Sequence, residues 1–270
     1  MKKLKICLGA VIAFFLSFES FAQETKVGVR LGVGLPSIES TDDNIFSTGF
    51  ETVAGFDGGA FLDLGITNNF SLKFELAYAR KGGVRNGLQP IPPPLVPPEF
   101  EPITQGEIIY ADFDNTAVFS YITVPILAKY EWHLDEKWGV YANAGVYLDF
   151  IVQPRQETAG TTSLFFDPDG NIPVQIPINP QDPPQDWVLV PVPPIDFTND
   201  TDLSEDLESI NFGVMLGGGV TYAVSPKSEL LFDIRGAYGF IPVQKDTETY
   251  GEVNIGSVVF SLGYAITLGK

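Results

Sequence analysis

The sequence predicts an all-β chain, an eight-stranded antiparallel up-and-down transmembrane β-barrel with long extracellular loops. Three observations predict it. The first is residues 117–152. Within 117–134 the even positions Val118, Ile122, Val124, Ile126, Ala128, Tyr130, Trp132 and Leu134 form an apolar row that only Ser120 breaks. The odd positions include Tyr121, Thr123, Lys129, Glu131 and His133. Alternation of this kind is the mark of a strand with one apolar and one mixed face. A soluble strand is commonly about 5–6 residues; this one runs three times as far, turns at Asp135-Glu136-Lys137, and is followed by 138–152. The second observation is that long and short connections alternate along the chain. The third is that the acidic residues gather in the long connections.

The first 22 residues read as an address. Lys2, Lys3 and Lys5 precede an apolar run at 6–16, and Ser20-Phe21-Ala22 is a small-x-small cleavage site. That is the layout of a secretory signal, with cleavage expected after Ala22 and a barrel domain over 23–270. Cys7 is the single cysteine and lies inside this segment. The mature chain therefore has no disulfide framework, Cys-ligated metal or Cys nucleophile. A single β-barrel domain accommodates the remaining length.

Strand one covers 25–35, with Val27, Val29, Leu31, Val33 and Leu35 on one face and Arg30 among glycines on the other. Strand two covers 50–66, with Asp57 and Asp63 opposite the apolar row. Thr67-Asn68-Asn69 makes a tight turn, since Asn tolerates the left-handed conformation. Strand three (70–84) alternates Phe70, Leu72, Phe74, Leu76 and Tyr78 with Ser71, Lys73, Glu75, Ala77 and Ala79. Strands four (117–134) and five (138–152) follow a proline-rich loop at 85–116. The longest loop, 154–208, leads to strand six (209–224). A turn at 225–228 leads to strand seven (229–244), and strand eight (253–269) closes the chain. Short turns at one end and long loops at the other are the layout of bacterial outer-membrane barrels. Loop 85–116 carries five acids against Arg85, and loop 154–208 eleven against Arg155. The chain's net charge of −18 therefore belongs to one rim. Such a rim repels anionic polymers, so nucleic acid is not an expected partner.

The mixed faces hold Arg30, Asp57, Asp63, Lys73, Glu75, Lys129, Glu131, Asp149, Asp233 and Arg235. In an eight-stranded barrel these point into an interior that side chains just fill. Buried charge is costly unless paired, so a structural ion-pair core is expected, with a proton or ion path along the axis as the alternative. Phe70, Trp132, Trp138, Tyr222 and Tyr264 are expected as an interfacial aromatic girdle. Pro125 removes a ladder donor in mid-strand and predicts a bulge there.

The remaining motifs have plain readings. His133 is the single histidine and falls at the short-turn end, so no Ser-His-Asp site can be built at the outer rim. Asp167-Pro168-Asp169-Gly170-Asn171 and the acids from Asp196 to Asp202 lack the spacing of a calcium loop. A hairpin turn is the preferred reading of the first, and divalent-cation binding the alternative. The proline runs at 91–98 and 190–194 favour extended polyproline conformation. They stiffen the loops, or serve as docking ligands. No cofactor and no catalytic residue is expected.

Tyr121-Ile122-Thr123-Val124-Pro125-Ile126-Leu127-Ala128-Lys129-Tyr130 resembles the characteristic strand of the PorT-type outer-membrane β-barrel family of Bacteroidota. KVGVRLGVG, FSLKFELAYARKG and GVYANAG are in the same character. The resemblance spans the mature chain outside the loops, and implies an integral outer-membrane barrel with no shared catalytic site. The final strand is similar to a barrel-assembly signal, except that Lys270 rather than an aromatic residue ends it. The expected function is non-enzymatic: acidic, proline-rich outside loops shown for envelope structure or surface contact. A narrow channel or a component of a transport or secretion assembly is the alternative. Expected partners are outer-membrane lipid, the barrel-assembly machinery during insertion, and an extracellular or envelope protein.

Overall fold

The computed structural model describes residues 24–40, 43–92, 96, 106–181, 183 and 186–268. The expected signal segment and most of the 91–98 proline run lie outside the described residues. Eight long strands form the wall: β1 (Glu24–Ser40), β2 (Gly55–Gly65), β3 (Phe70–Arg85), β4 (Asp114–His133), β5 (Trp138–Ala159), β6 (Ile210–Ser225), β7 (Ser228–Gly239) and β8 (Val253–Leu268). Each pairs antiparallel with the next, and β8 pairs with β1 from Val253↔Ser40 to Leu268↔Thr25. Closure removes the sheet edges, so every wall strand has a partner on both sides.

The outward rows are apolar and exposed, for example Leu31 at 63%, Leu216 at 68% and Leu262 at 66%. In water such a surface would be an aggregation site; in a bilayer it is the solvated face. Its height can be read along β8. Val258 and Leu268, both outward, are ten residues apart, about 33 Å along a strand at ~3.3 Å per residue. At a tilt of about 40° this gives about 25 Å along the axis, the height of a membrane-spanning band.

Above that band the faces exchange character. Below it the inward residues of β4 are charged (Lys129, Glu131); above it they are Ala117, Phe119 and Tyr121, packed with Leu207, Val243 and Ile255 in an apolar layer across the outer mouth. Outward positions there are polar: Arg80, Gln153, Arg155 and Glu157 are exposed. Apolar-in and polar-out is the pattern of a β-structure in water, so the exchange marks where lipid gives way to solvent.

The long loops fold into a cap with its own core. Leu88–Ile91, Ile109–Asp112 and Leu164–Phe165 form a three-stranded sheet, and Gln175–Pro177 pairs with Leu189–Pro191. Ile91, Ile109, Ala111, Leu164, Val174 and Val192 are buried together beneath them. Asp167 accepts from the amides of Asn171 (3.0 Å) and Ile172 (2.5 Å), and Gly170 sits at φ 72°, so 167–171 is a hairpin turn. Within 190–194, Val190 and Pro191 lie in a strand of this cap.

Several sequence expectations are corrected. Pro125 makes no bulge: it pairs in register with Tyr147 on β5, and its missing N–H leaves only a gap in the β3–β4 ladder between Phe74↔Ile126 and Ala77↔Thr123. The bulge lies between Ser120↔Gln153 and Tyr121↔Ile151, with Val152 as the extra residue. Strand two does not run unbroken from residue 50. The β1–β2 ladder stops at Gly34↔Gly55 because Pro36, two residues on, has no N–H. Glu51–Thr52 pairs separately with β3. Strand seven ends at Gly239 rather than 244; Pro242 has no donor, and Val243 turns inward to join the apolar layer. Strands four and five reach further out than expected, to Asp114 and Ala159.

Candidate functional site: the charged lumen and its apolar seal

Inward positions recur every second residue on each strand, so neighbouring strands stack their polar side chains in tiers along the axis. All ten charged residues assigned to the interior from the sequence are buried, none more than 8% exposed. The structure adds three: Lys26, Lys81 and Glu229. Each shares the parity of an assigned residue on its own strand, Arg30, Lys73 and Asp233 respectively, which was the available signal.

The tier nearest the short turns joins Lys26 Nζ to Glu229 (2.8 Å) and Lys129 Nζ to Glu131 (2.9 Å) and Asp63 (3.3 Å). Thr221 Oγ1 donates to Glu131 at 2.6 Å. A cavity of about 50 Å³ opens below it at the mouth, lined in part by Glu24, Asn69 and His133.

The middle tier is built around Glu75. Arg30 Nε lies at 2.9 Å, Arg235 Nη1 at 2.8 Å and Lys73 Nζ at 3.0 Å from its carboxylate. Arg30 also pairs with Asp57, and Arg235 with Asp233, which accepts from the Tyr141 hydroxyl. Lys73 Nζ sits 3.9 Å from the centre of the Phe61 ring, close enough for a cation–π contact. Three cations face three carboxylates, so this tier is neutral.

The upper tier is Lys81 with Asp149 at 2.6 Å, flanked by the rings of Tyr121 and Tyr147. The apolar layer of Phe119, Leu207, Val243 and Ile255 lies immediately above. Arg235, Lys73, Lys129, Tyr147, Asp149 and Leu127 are each at most 2% exposed. Side chains so shielded pack against one another across the axis. In so dry an interior, each charge is stable only because its partner is in place.

The expected girdle residues Phe70, Trp132, Trp138, Tyr222 and Tyr264 all stand on the outward face toward the short turns. Tyr130 and Trp132 are in ring contact at 4.8 Å, and Trp138 and Tyr222 at 4.7 Å. Sequence reasoning misses a second belt at the other edge of the band, Phe56 with Tyr78 and Phe240 with Phe212 and Tyr238. Its signal was the position of each aromatic residue at the outer end of an outward row.

Among the described residues no group of three or more His, Cys, Asp or Glu side chains is placed to hold a metal ion. His133 is exposed at the short-turn mouth.

A family profile described as outer membrane protein beta-barrel domain matches residues 21–245. No curated protein matches the chain. Among solved structures, Neisserial surface protein A is similar at 14% identity and a TM-score of 0.40, covering 89% of this chain and 96% of that one. A major outer membrane protein from Thermus thermophilus is similar at 13% identity and a TM-score of 0.42, covering 90% and 99%. The outer membrane protease OmpT from Escherichia coli is similar at 8% identity and a TM-score of 0.41, covering 92% and 97%.

Proposed function

The chain belongs to the outer-membrane β-barrel domain family, and we propose that within it this protein is a closed, non-enzymatic barrel whose purpose is to hold its acidic cap at the cell surface. The observation that carries this reading is the double obstruction of the axis. Paired side chains fill the lumen through three tiers, and the apolar layer of Phe119, Leu207, Val243 and Ile255 seals the outer mouth. A conduit would not need either. What stands above the seal is a folded, acidic unit with its own core, suited to contact with an extracellular or envelope protein. Outer-membrane lipid surrounds the band between the aromatic belts. The β8–β1 pairing closes the ring last in sequence, which suits insertion by the barrel-assembly machinery. Residues 1–22 act as the signal, cleaved after Ala22. Within the family the Tyr121–Tyr130 strand supports a PorT-type member.

The alternative, a narrow channel or part of a transport assembly, draws on the charged lumen and the small cavity at the short-turn mouth. Planar-bilayer recordings separate the two. The closed reading expects no resolved openings from the purified barrel. Discrete single-channel steps that vanish on Lys129→Met would establish the channel instead.

A further inference from the structure

Ser120 interrupts the outward apolar row of β4, and the β5 bulge lies directly opposite it. Up to Phe150, β5 sends its even residues outward: Val146, Leu148 and Phe150 are exposed, while Tyr147 and Asp149 are buried. Val152 is the extra residue, and beyond it the odd residues Gln153, Arg155 and Glu157 face out. Without the bulge Arg155 would point into the apolar layer. Re-aiming a side chain in this way is a common use of a bulge.

The result is a groove of about 180 Å³ on the outer wall, across β3, β4 and β5. Its floor is Val118 and Ser120, both short. Arg80, paired with Ser120 across the β3–β4 ladder, rises on one side. Gln153 and Arg155 rise on the other, paired with Ser120 and Val118. The flanking strands are about 10 Å apart, two strand spacings, a separation that two guanidinium arms can bridge around one tetrahedral anion. At the lower end the Tyr78 hydroxyl donates to Ser120 Oγ at 2.8 Å, and its ring meets Phe56 in the outer aromatic belt. The groove thus sits at the height of headgroups in the outer leaflet, directly above wall that contacts acyl chains.

We propose that this groove binds the phosphate of an outer-leaflet lipid headgroup, with Arg80 and Arg155 as its two ligands. The chemistry is specific. Guanidinium groups match phosphate oxygens with paired hydrogen bonds, and a chain of net charge −18 places two of its few arginines here, facing out. Among the described residues Arg80 has no ion-pair partner. Arg155 contacts Asp200 at 2.8 Å, but both side chains are more than half exposed, so water already competes for that pair and it holds Arg155 loosely. Glu157, opposite Asp200, lines the outer end of the same groove and repels a phosphate seated above the arginines. It therefore favours a phosphate held low, at the membrane surface.

The test is native mass spectrometry of the full barrel in zwitterionic detergent. It is titrated with phosphorylated lipid A and with the same lipid after phosphatase treatment. The wild-type barrel should bind the phosphorylated form at least about tenfold more tightly. The double variant R80Q/R155Q, its folding checked by heat-modifiable gel mobility, should bind both forms alike. R80K/R155K should recover part of the preference, and K227Q, at the opposite end, should keep all of it. Equal binding of the two lipids by the wild-type barrel overturns the proposal and requires no variant to fold. So does a preference that survives R80Q/R155Q. Complete displacement of the lipid by millimolar inorganic phosphate would overturn the assignment to a lipid and give the groove to the free ion.

Discussion

Glu75→Gln is the sharpest perturbation of the lumen, because it removes one charge and almost no volume. Arg30, Arg235 and Lys73 all lie within 3.0 Å of the Glu75 carboxylate, and the tier is neutral with it in place. With the amide it holds +1 among side chains that water does not reach. Removing one member of a buried ion pair costs about 3–5 kcal/mol, because the remaining charge has lost its partner. The structure also says how to undo the damage. Glu75→Gln combined with Arg235→Met leaves Arg30 and Lys73 against Asp57 and Asp233, neutral again, and the double variant should recover about half of the loss or more. The assay is urea unfolding in phosphatidylcholine vesicles, read by heat-modifiable gel mobility and by fluorescence of Trp132 and Trp138, which stand on the lipid face. A single variant within about 1 kcal/mol of the wild-type protein would refute the reasoning. So would a double variant weaker than the single one, since charge balance would then not be what holds the tier together.

Three further outcomes follow from the same geometry. Leu164→Ala, at a cap residue 1% exposed, should cost the cap about 2–5 kcal/mol. It should open 167–196 to proteolysis while the barrel's heat-modifiable band persists; simultaneous loss of both would show cap and wall to be one unit. Gly219→Ala drives a Cβ into the Phe232 carbonyl oxygen and within 2.6 Å of the Tyr141 hydroxyl, whereas at Gly236 the nearest atom is 3.9 Å away. The first should therefore lower the unfolding free energy by about 1–3 kcal/mol, read as a lower urea midpoint, and the second leave the midpoint unchanged, and equal effects would contradict the packing. The carboxyls of Asp196, Asp202 and Asp246 are held below their usual range, by Thr198, by Ser204 and by the Thr249 amide respectively. A lowered folded pKa contributes stability above the unfolded value of 3.8 and loses it as pH falls through the folded one. Amide-exchange protection at Thr198, Ser204 and Thr249 should therefore last from neutrality down to about pH 4 and fail below it; failure by pH 6 would show that these bonds do not hold the loops.

The wall was legible in the sequence because a strand's period is two and the lipid face tolerates no charge. Any odd–even contrast such as Leu72, Phe74 and Leu76 against Lys73 and Glu75 then carries its own orientation. The partners within the lumen were not legible: which carboxylate meets Arg235 depends on register across strands far apart in the chain, Glu75 on β3 and Arg235 on β7. The bulge was misplaced for a related reason. A barrel residue gives its N–H to only one neighbour, so Pro125 costs a bond on one ladder and leaves the other in register. The extra residue at Val152 carries no compositional mark. The cap was hidden most completely. Its core residues Ile109, Leu164 and Val174 come from separate loop segments with no shared period, and proline-rich acidic sequence reads as extended chain.

The exchange of faces near Ser120 and Val152 ties these parts together. Below it, charge must point inward because lipid lies outside, and the ion pairs are a consequence of that solvent. Above it, water lies outside, so apolar residues turn inward and seal the mouth, and the same strands continue as the base of a water-soluble β-structure. The wall therefore needs a place where its polarity inverts. Polarity inverts either by a change of residue type at constant parity, as on β4 where the odd residues face inward throughout, or by a local irregularity, whereas a slip of a whole strand would turn every side chain to the wrong face. The Val152 bulge does this on β5. Ser120, opposite it, does it on β4 by replacing an apolar residue with one small enough to lie under Tyr78 and Arg80. A single-residue deletion at Val152 should accordingly drive Arg155 inward against the apolar layer. The damage should fall on the cap and the seal before it reaches the ion pairs below.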